Sequence, residues 1–160
     1  MNCHLAATLK NLRQSIVVIG YGDTQHSDQA AGLKIAQQIA YWGMPNVEAI
    51  AVPELTTELV DQLADADVAI FVDAYPAQAD QDLQINPLTP PAPETTADHW
   101  STPQRLLTAT ETLYHRHPQA WQVMVPGDNF AEGDSLSWRT QHEIENALEQ
   151  IEWLIKSSKS

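Results

Sequence analysis

Cysteine occurs once, as Cys3. A lone thiol excludes a disulfide framework and a cysteine-based zinc site, and both absences suit a reducing compartment. Basic residues are also scarce: eight Lys and Arg stand against 21 Asp and Glu, a formal net charge of −13. That balance argues against nucleic acid and membrane partners, favours a cytoplasmic location, and leaves carboxylates spare for a cation. No apolar run approaches the length of a membrane span, and the segment before Ser15 lacks the uninterrupted apolar region of a secretory signal. Residues 1–14 read as a short lead-in, helical or frayed. The five tryptophans are scattered and define no stacking platform. What the 160 residues do allow is one domain, 1–160, with a core of its own.

The most informative stretch is Ile16-Val17-Val18-Ile19-Gly20-Tyr21-Gly22-Asp23, continuing to Ser27-Asp28-Gln29-Ala30-Ala31-Gly32. Four β-branched residues without alternation predict a strand buried on both faces, and two glycines supply the backbone freedom of a sharp strand-to-helix turn. A helix is expected from about Asp28 to Trp42, with Leu33, Ile35, Ala36, Ile39 and Ala40 on its apolar face. A strand over Val47–Val52, a short helix over Thr56–Ala64 and a strand over Val68–Val72 ending at Asp73 follow. From Tyr75 to His99 the composition turns proline-rich, a long loop (75–99) with room for an edge strand near Leu83–Leu88. Ser101-Thr102-Pro103-Gln104 is a helix start: Ser101 or Thr102 can cap, proline suits the first turn, and Gln104 can close a capping box on Ser101. That helix is expected to reach His115 through Leu106, Leu107, Thr110, Leu113 and Tyr114. A strand over Trp121–Val125 and a helix over Thr140–Lys156 complete the chain. Strands alternating with helices predict an α/β three-layer sandwich: a mostly parallel twisted sheet of about five strands with helices on both faces.

In such sheets ligands gather at the carboxyl ends of the strands. Gly20-Tyr21-Gly22 opens like a dinucleotide fingerprint, but Gln25 stands where the third glycine belongs, and Asp23 and Asp28 oppose a pyrophosphate. The alternative is a metal or proton-transfer site formed by the Asp28-Gln29 loop, Asp73 and His99, a donor set that suits a borderline cation such as nickel or zinc. Each residue also has a plainer role. Asp28 reads as a helix N-cap, Gln29 as a solvated first-turn residue, Asp73 as a turn former and His99 as a loop residue. His115 and His117 flank Arg116 at a helix end and read as surface, while His26 is a candidate peripheral binding residue.

The order of these motifs resembles the hydrogenase maturation proteases, endopeptidases that trim the C-terminal tail of nickel–iron hydrogenase large subunits after nickel insertion. The resemblance runs from about Ser15 to Ile155. It rests on Gly20-Tyr21-Gly22, Ser27-Asp28 with Gly32, the strand ending in Asp73-Ala74, His99 before a helix, Val125-Pro126, and Leu136-Ser137 ahead of the last helix. Glu54-Leu55-Thr56-Thr57-Glu58-Leu59 looks like a divergent branch of that family. The resemblance implies that Gln29, Asp73 and His99 contact nickel held by the precursor, with no permanently bound cofactor. It also implies that Gly20, Gly22, Asp23 and Asp28 shape the substrate loop, and that a hydrogenase large-subunit precursor is the partner.

Three departures from the family pattern stand out. Gln29 puts an amide where the family has a carboxylate, Asp23 replaces an asparagine, and Ala51-Val52-Pro53-Glu54 replaces a glycine-rich, aspartate-led box. Losing a carboxylate beside a divalent ion weakens binding by roughly a few kcal/mol before screening. Asp28 is adjacent, but neighbouring helical positions point about a hundred degrees apart. No Ser-His-Asp or Cys-His arrangement is legible, so water attack assisted by a carboxylate, with Asp28 the candidate, is the expected chemistry. The resemblance implies a peptidase; the departures motivate a non-catalytic relative that docks a metalloprotein precursor. A small hydrolase or ligand binder unrelated to hydrogenase is the third reading.

Overall fold

The computed structural model describes residues 14–89 and 102–157. Residues 1–13, with Cys3, lie outside that range, as do the end of the proline-rich stretch, His99 and Ser101. The strands are β1 (Ile16–Tyr21), β2 (Val47–Val52), β3 (Val68–Pro76), β4 (Gln84–Leu88) and β5 (Gln119–Gly127). They form one sheet of order β2-β1-β3-β5-β4. The first three pairings are parallel, and β4 runs antiparallel along the edge of β5. Pro87 is tolerated in β4 because an edge strand leaves one row of backbone groups unpaired.

Among the described residues four helices cover the sheet: α1 (Ala31–Trp42), α2 (Val60–Asp65), α3 (Pro103–Tyr114) and α4 (Trp138–Ser157). The unalternating apolar runs are explained by what lies on each side. Ile16, Val18, Ile70, Val72, Val123 and Val125 pack against Ile35 and Ile39 of α1 and Ala147, Ile151 and Ile155 of α4. Their neighbours Val17, Ile19, Ala69 and Phe71 face the other way, onto Leu63 of α2 and Leu106 and Leu107 of α3. Burying each of these Val, Ile, Leu and Phe side chains contributes roughly 1.5–3 kcal/mol. A one-residue slip would exchange the two faces, so the register is strongly specified. The result is the expected three-layer sandwich. Among the described residues no helix is long and apolar enough to cross a membrane.

Several boundaries differ from the sequence expectation. β3 does not stop at Asp73 but pairs with β5 as far as Pro76↔Gly127, because backbone pairing continues past the last apolar side chain. The helix expected from Asp28 begins as a 3₁₀ turn, Ser27–Ala30, before α1, and a second such turn, Thr57–Leu59, precedes α2. Of the two cap candidates it is Thr102 that caps α3, its side chain accepting from the Arg105 amide with Pro103 in the first turn. Ala40, expected on the apolar face of α1, is exposed, and so are Leu113 and Tyr114 at the end of α3. α3 packs mainly on the short α2, which leaves its last turn over solvent.

Candidate functional site

The turn after β1 is set by close backbone approach. A Cβ on Gly20 would lie 1.9 Å from the Gly32 carbonyl oxygen, and one on Gly32 would lie 2.3 Å from the Val72 carbonyl oxygen. These two glycines let α1 lie directly on β1 and β3. Gly20 is therefore a packing residue, which corrects its placement among the substrate-binding positions. Gly22 lines the cleft described below, at φ +155, with the Gln29 carbonyl oxygen 2.0 Å from where a Cβ would stand.

Asp28 is fully buried. Its carboxylate accepts the amide N–H groups of Asp128 and Asn129, both at 2.8 Å, and the amide and hydroxyl of Ser137, both at 2.7 Å. Its own amide donates to the Asn129 carbonyl at 2.9 Å. Two expectations are corrected here. Asp28 does not cap a helix, since no side-chain cap bond is made at the 3₁₀ turn or at α1. As the candidate catalytic carboxylate it is also misplaced: with both oxygens engaged and no accessible surface, it ties the first loop to the segment between β5 and α4. Ser27 strengthens that tie, its hydroxyl donating to the Ala131 carbonyl and its amide to the Gly133 carbonyl.

Beside this tie, at the carboxyl edge of β1 and β3, opens a cleft of about 430 Å³. Tyr21, Gly22, Asp23, His26 and Gln29 line it from the first loop, Pro53, Glu54 and Leu55 from the segment after β2, with Asp73 and Phe130. The structure thus brings Gln29 and Asp73 together, with Gly22 and Asp23 beside them. His99 lies outside the described residues. Among the described residues no group of three or more His, Cys, Asp or Glu side chains could hold a metal ion.

Asp73 is partly buried, and desolvation pushes its carboxyl up to about 6 despite hydrogen bonds from the Ala74 amide (2.8 Å) and the Tyr21 hydroxyl. Tyr21 is pushed above the ordinary phenol range, first by burial and then by the Asp73 charge, while a hydrogen bond with Gln122 opposes the rise. Sequence reasoning missed Tyr21, because nothing local marks a residue between two glycines as the partner of a carboxylate fifty positions on. Phe130 was missed as well, lying in a loop with no periodicity. On the cleft's lip, Asp23 Oδ1 accepts the Gln25 amide at 2.8 Å and Oδ2 lies 2.6 Å from His26 Nδ1. The Asp23 carboxyl is held below its ordinary range by the Gln25 amide and then by His26.

No family model matches the chain, and no curated protein matches it in sequence. Solved structures do. The maturation protease HycI from Thermococcus kodakarensis KOD1 superposes with a TM-score of 0.70 at 17% identity, over 93% of this chain and 99% of its own. The maturating endopeptidase HybD from E. coli gives 0.68 at 21%, over 90% of this chain and 93% of its own. An endopeptidase from Escherichia coli, solved in solution, gives 0.65 at 22%, over 91% and 95% respectively. The fold is that of the hydrogenase maturation proteases.

Proposed function

We propose that the protein is a cytoplasmic endopeptidase that trims the C-terminal tail of a nickel–iron hydrogenase large-subunit precursor once nickel has been inserted. The observation that carries this reading is the cleft at the sheet edge of a maturation-protease fold, with Asp73 and Gln29 in its wall. Nickel here belongs to the substrate. Asp73 and Gln29 offer it a carboxylate and an amide oxygen, and His99 is the third ligand that the family resemblance implies. Asp73 is suited to the task because desolvation disfavours its ionised form, and a cation restores it. Binding the metal-bearing precursor therefore releases a proton at mildly acidic pH, around and below the Asp73 value of about 6. The test is to incubate the protein with nickel-loaded precursor and follow tail loss by mass spectrometry. Loss of the tail supports the reading; intact precursor beside a working control protease overturns it.

One observation favours a second reading, a non-catalytic module that docks such a precursor: the first metal-facing position is the neutral Gln29. On either reading Gln29→Glu adds a charge beside the ion and is expected to raise nickel affinity in titration calorimetry. Unchanged affinity would remove Gln29 from the metal's surroundings.

A further inference from the structure

Asp23 and His26 take no part in the reading above, yet both line the cleft beside Gln29 and Asp73. They are three residues apart on the first loop, with Asp23 Oδ2 2.6 Å from His26 Nδ1 and both side chains half-exposed. The backbone around them is braced. The Gln25 amide donates to Asp23 Oδ1, the His26 amide to the Asp23 carbonyl, and His26 forms an isolated parallel bridge with Gly133, whose amide donates to the Gln25 carbonyl. An ionised carboxylate only accepts hydrogen bonds, so the proton shared at 2.6 Å sits on Nδ1, and in the neutral ring Nε2 keeps its lone pair. A carboxylate that fixes the tautomer of an imidazole is the arrangement that makes the other ring nitrogen a base. Asp28 cannot serve that purpose with four donors on its oxygens, and Asp73 is engaged by Tyr21 and Ala74. His26 is the one histidine among the described residues that lines the cleft.

We propose that His26, oriented by Asp23, is the general base of the cleft and takes its proton from the attacking water at Nε2. The inference rests on the peptidase reading and supplies the group which that reading lacks. As the water oxygen bonds to the scissile carbonyl carbon, one of its protons passes to Nε2. When the tetrahedral adduct collapses, the C–N bond breaks, its electron pair goes to nitrogen, and the imidazolium returns the proton to the departing amine. The products are the shortened chain, ending in a carboxyl group, and the free tail.

The experiment is single-turnover trimming of nickel-loaded precursor by wild type, His26→Gln, His26→Ala and Asp23→Asn, each first shown to melt as wild type and to bind the precursor equally. His26→Gln is expected to slow trimming by about 100-fold or more, Asp23→Asn by a smaller factor, and added imidazole to restore part of the rate to His26→Ala alone. Nitrogen chemical shifts of the free wild-type protein should show Nδ1 protonated and Nε2 bare in the neutral ring. His26→Gln trimming within roughly threefold of an active wild type overturns the role while leaving the peptidase reading intact. So does a neutral ring protonated on Nε2. An inactive wild type removes the peptidase reading and this role together.

Discussion

Asp28 and Asp73 are aspartates held in opposite conditions. Burial works to raise the Asp28 carboxyl, but the amides of Asn129 and Ser137, the Ser137 hydroxyl and the Asp128 amide outweigh it and leave the group below its ordinary range. Its folded pKa being the lower one, Asp28 contributes stability that is present above the unfolded value of about 3.9 and lost as pH falls through the folded value. Asp28→Asn turns an acceptor-only group into one whose NH₂ must face amide donors. The expected loss at neutral pH is on the order of 3 kcal/mol, read from urea unfolding, with less further loss on acidification than wild type shows. An unchanged midpoint would mean that Ser27 alone holds the two loops together. For Asp73 the sign reverses. Burial raises its carboxyl to about 6, so the native state binds the proton more tightly than the unfolded chain does. Its most favourable contribution lies below the unfolded value of about 3.9 and is lost as pH rises through the folded value. Asp73→Asn, neutral throughout, is expected to be more stable than wild type at neutral pH by about 1–3 kcal/mol, and not to trim precursor. Unfolding midpoints at acidic and neutral pH check the first part, and a variant less stable at neutral pH than wild type would contradict it.

At the scale of elements, the position of α1 on the sheet sets the cleft, because Gln29 and Gly22 face each other where the helix meets β1. Two effects compete in Gly32→Ala. Alanine is favoured over glycine within a helix by about 1 kcal/mol. Against that, the new methyl would meet the Val72 and Tyr21 carbonyl oxygens at 2.3 and 2.8 Å, and both atoms are backbone in the sheet centre. Overpacking of this kind costs about 1–3 kcal/mol where side chains can yield, and here the helix itself must lift. Net destabilisation of about 2 kcal/mol or more is expected, with amide shifts of Tyr21, Gly22 and Gln29 moving in NMR spectra. A variant as stable as wild type would show that α1 rides above the sheet. The elements themselves were legible because burial on one stripe or on two faces leaves a periodic trace, as at Leu33, Ile35, Ala36 and Ile39 or at Val68–Val72. What leaves no such trace is a side chain bonded to backbone a hundred residues away, as Asp28 is to Asp128. For that reason Asp28 looked like a cap and a candidate catalyst. Gly20 and Gly22 look alike in the chain, yet one packs a helix and the other lines the cleft. Tyr21 reaches Asp73 only because β1 and β3 are neighbours, a fact of topology rather than of spacing.

For the whole molecule the dominant electrostatic fact is the net charge of −13, from 21 acidic and eight basic residues. Folding gathers those charges onto one compact surface, and the compact state carries the self-repulsion. Among the described residues the ion pairs Arg139–Asp128 and Lys156–Glu152 are isolated from one another, and surface pairs of this sort contribute about 0–1 kcal/mol each. They do not offset a field of one sign. Salt does: the screening length falls from about 30 Å at 0.01 M to about 8 Å at 0.15 M, which is short enough to separate most surface carboxylates from one another. The melting temperature is therefore expected to rise by a few degrees between those two salt concentrations, since about 1 kcal/mol shifts a domain of this size by roughly 2–4 °C. The gain should be larger at neutral pH than near pH 4.5, where the net charge approaches zero. Scanning calorimetry at the two ionic strengths and two pH values decides it. A melting temperature that falls with salt at neutral pH would mean that attractive pairs, not the excess of carboxylates, govern the surface.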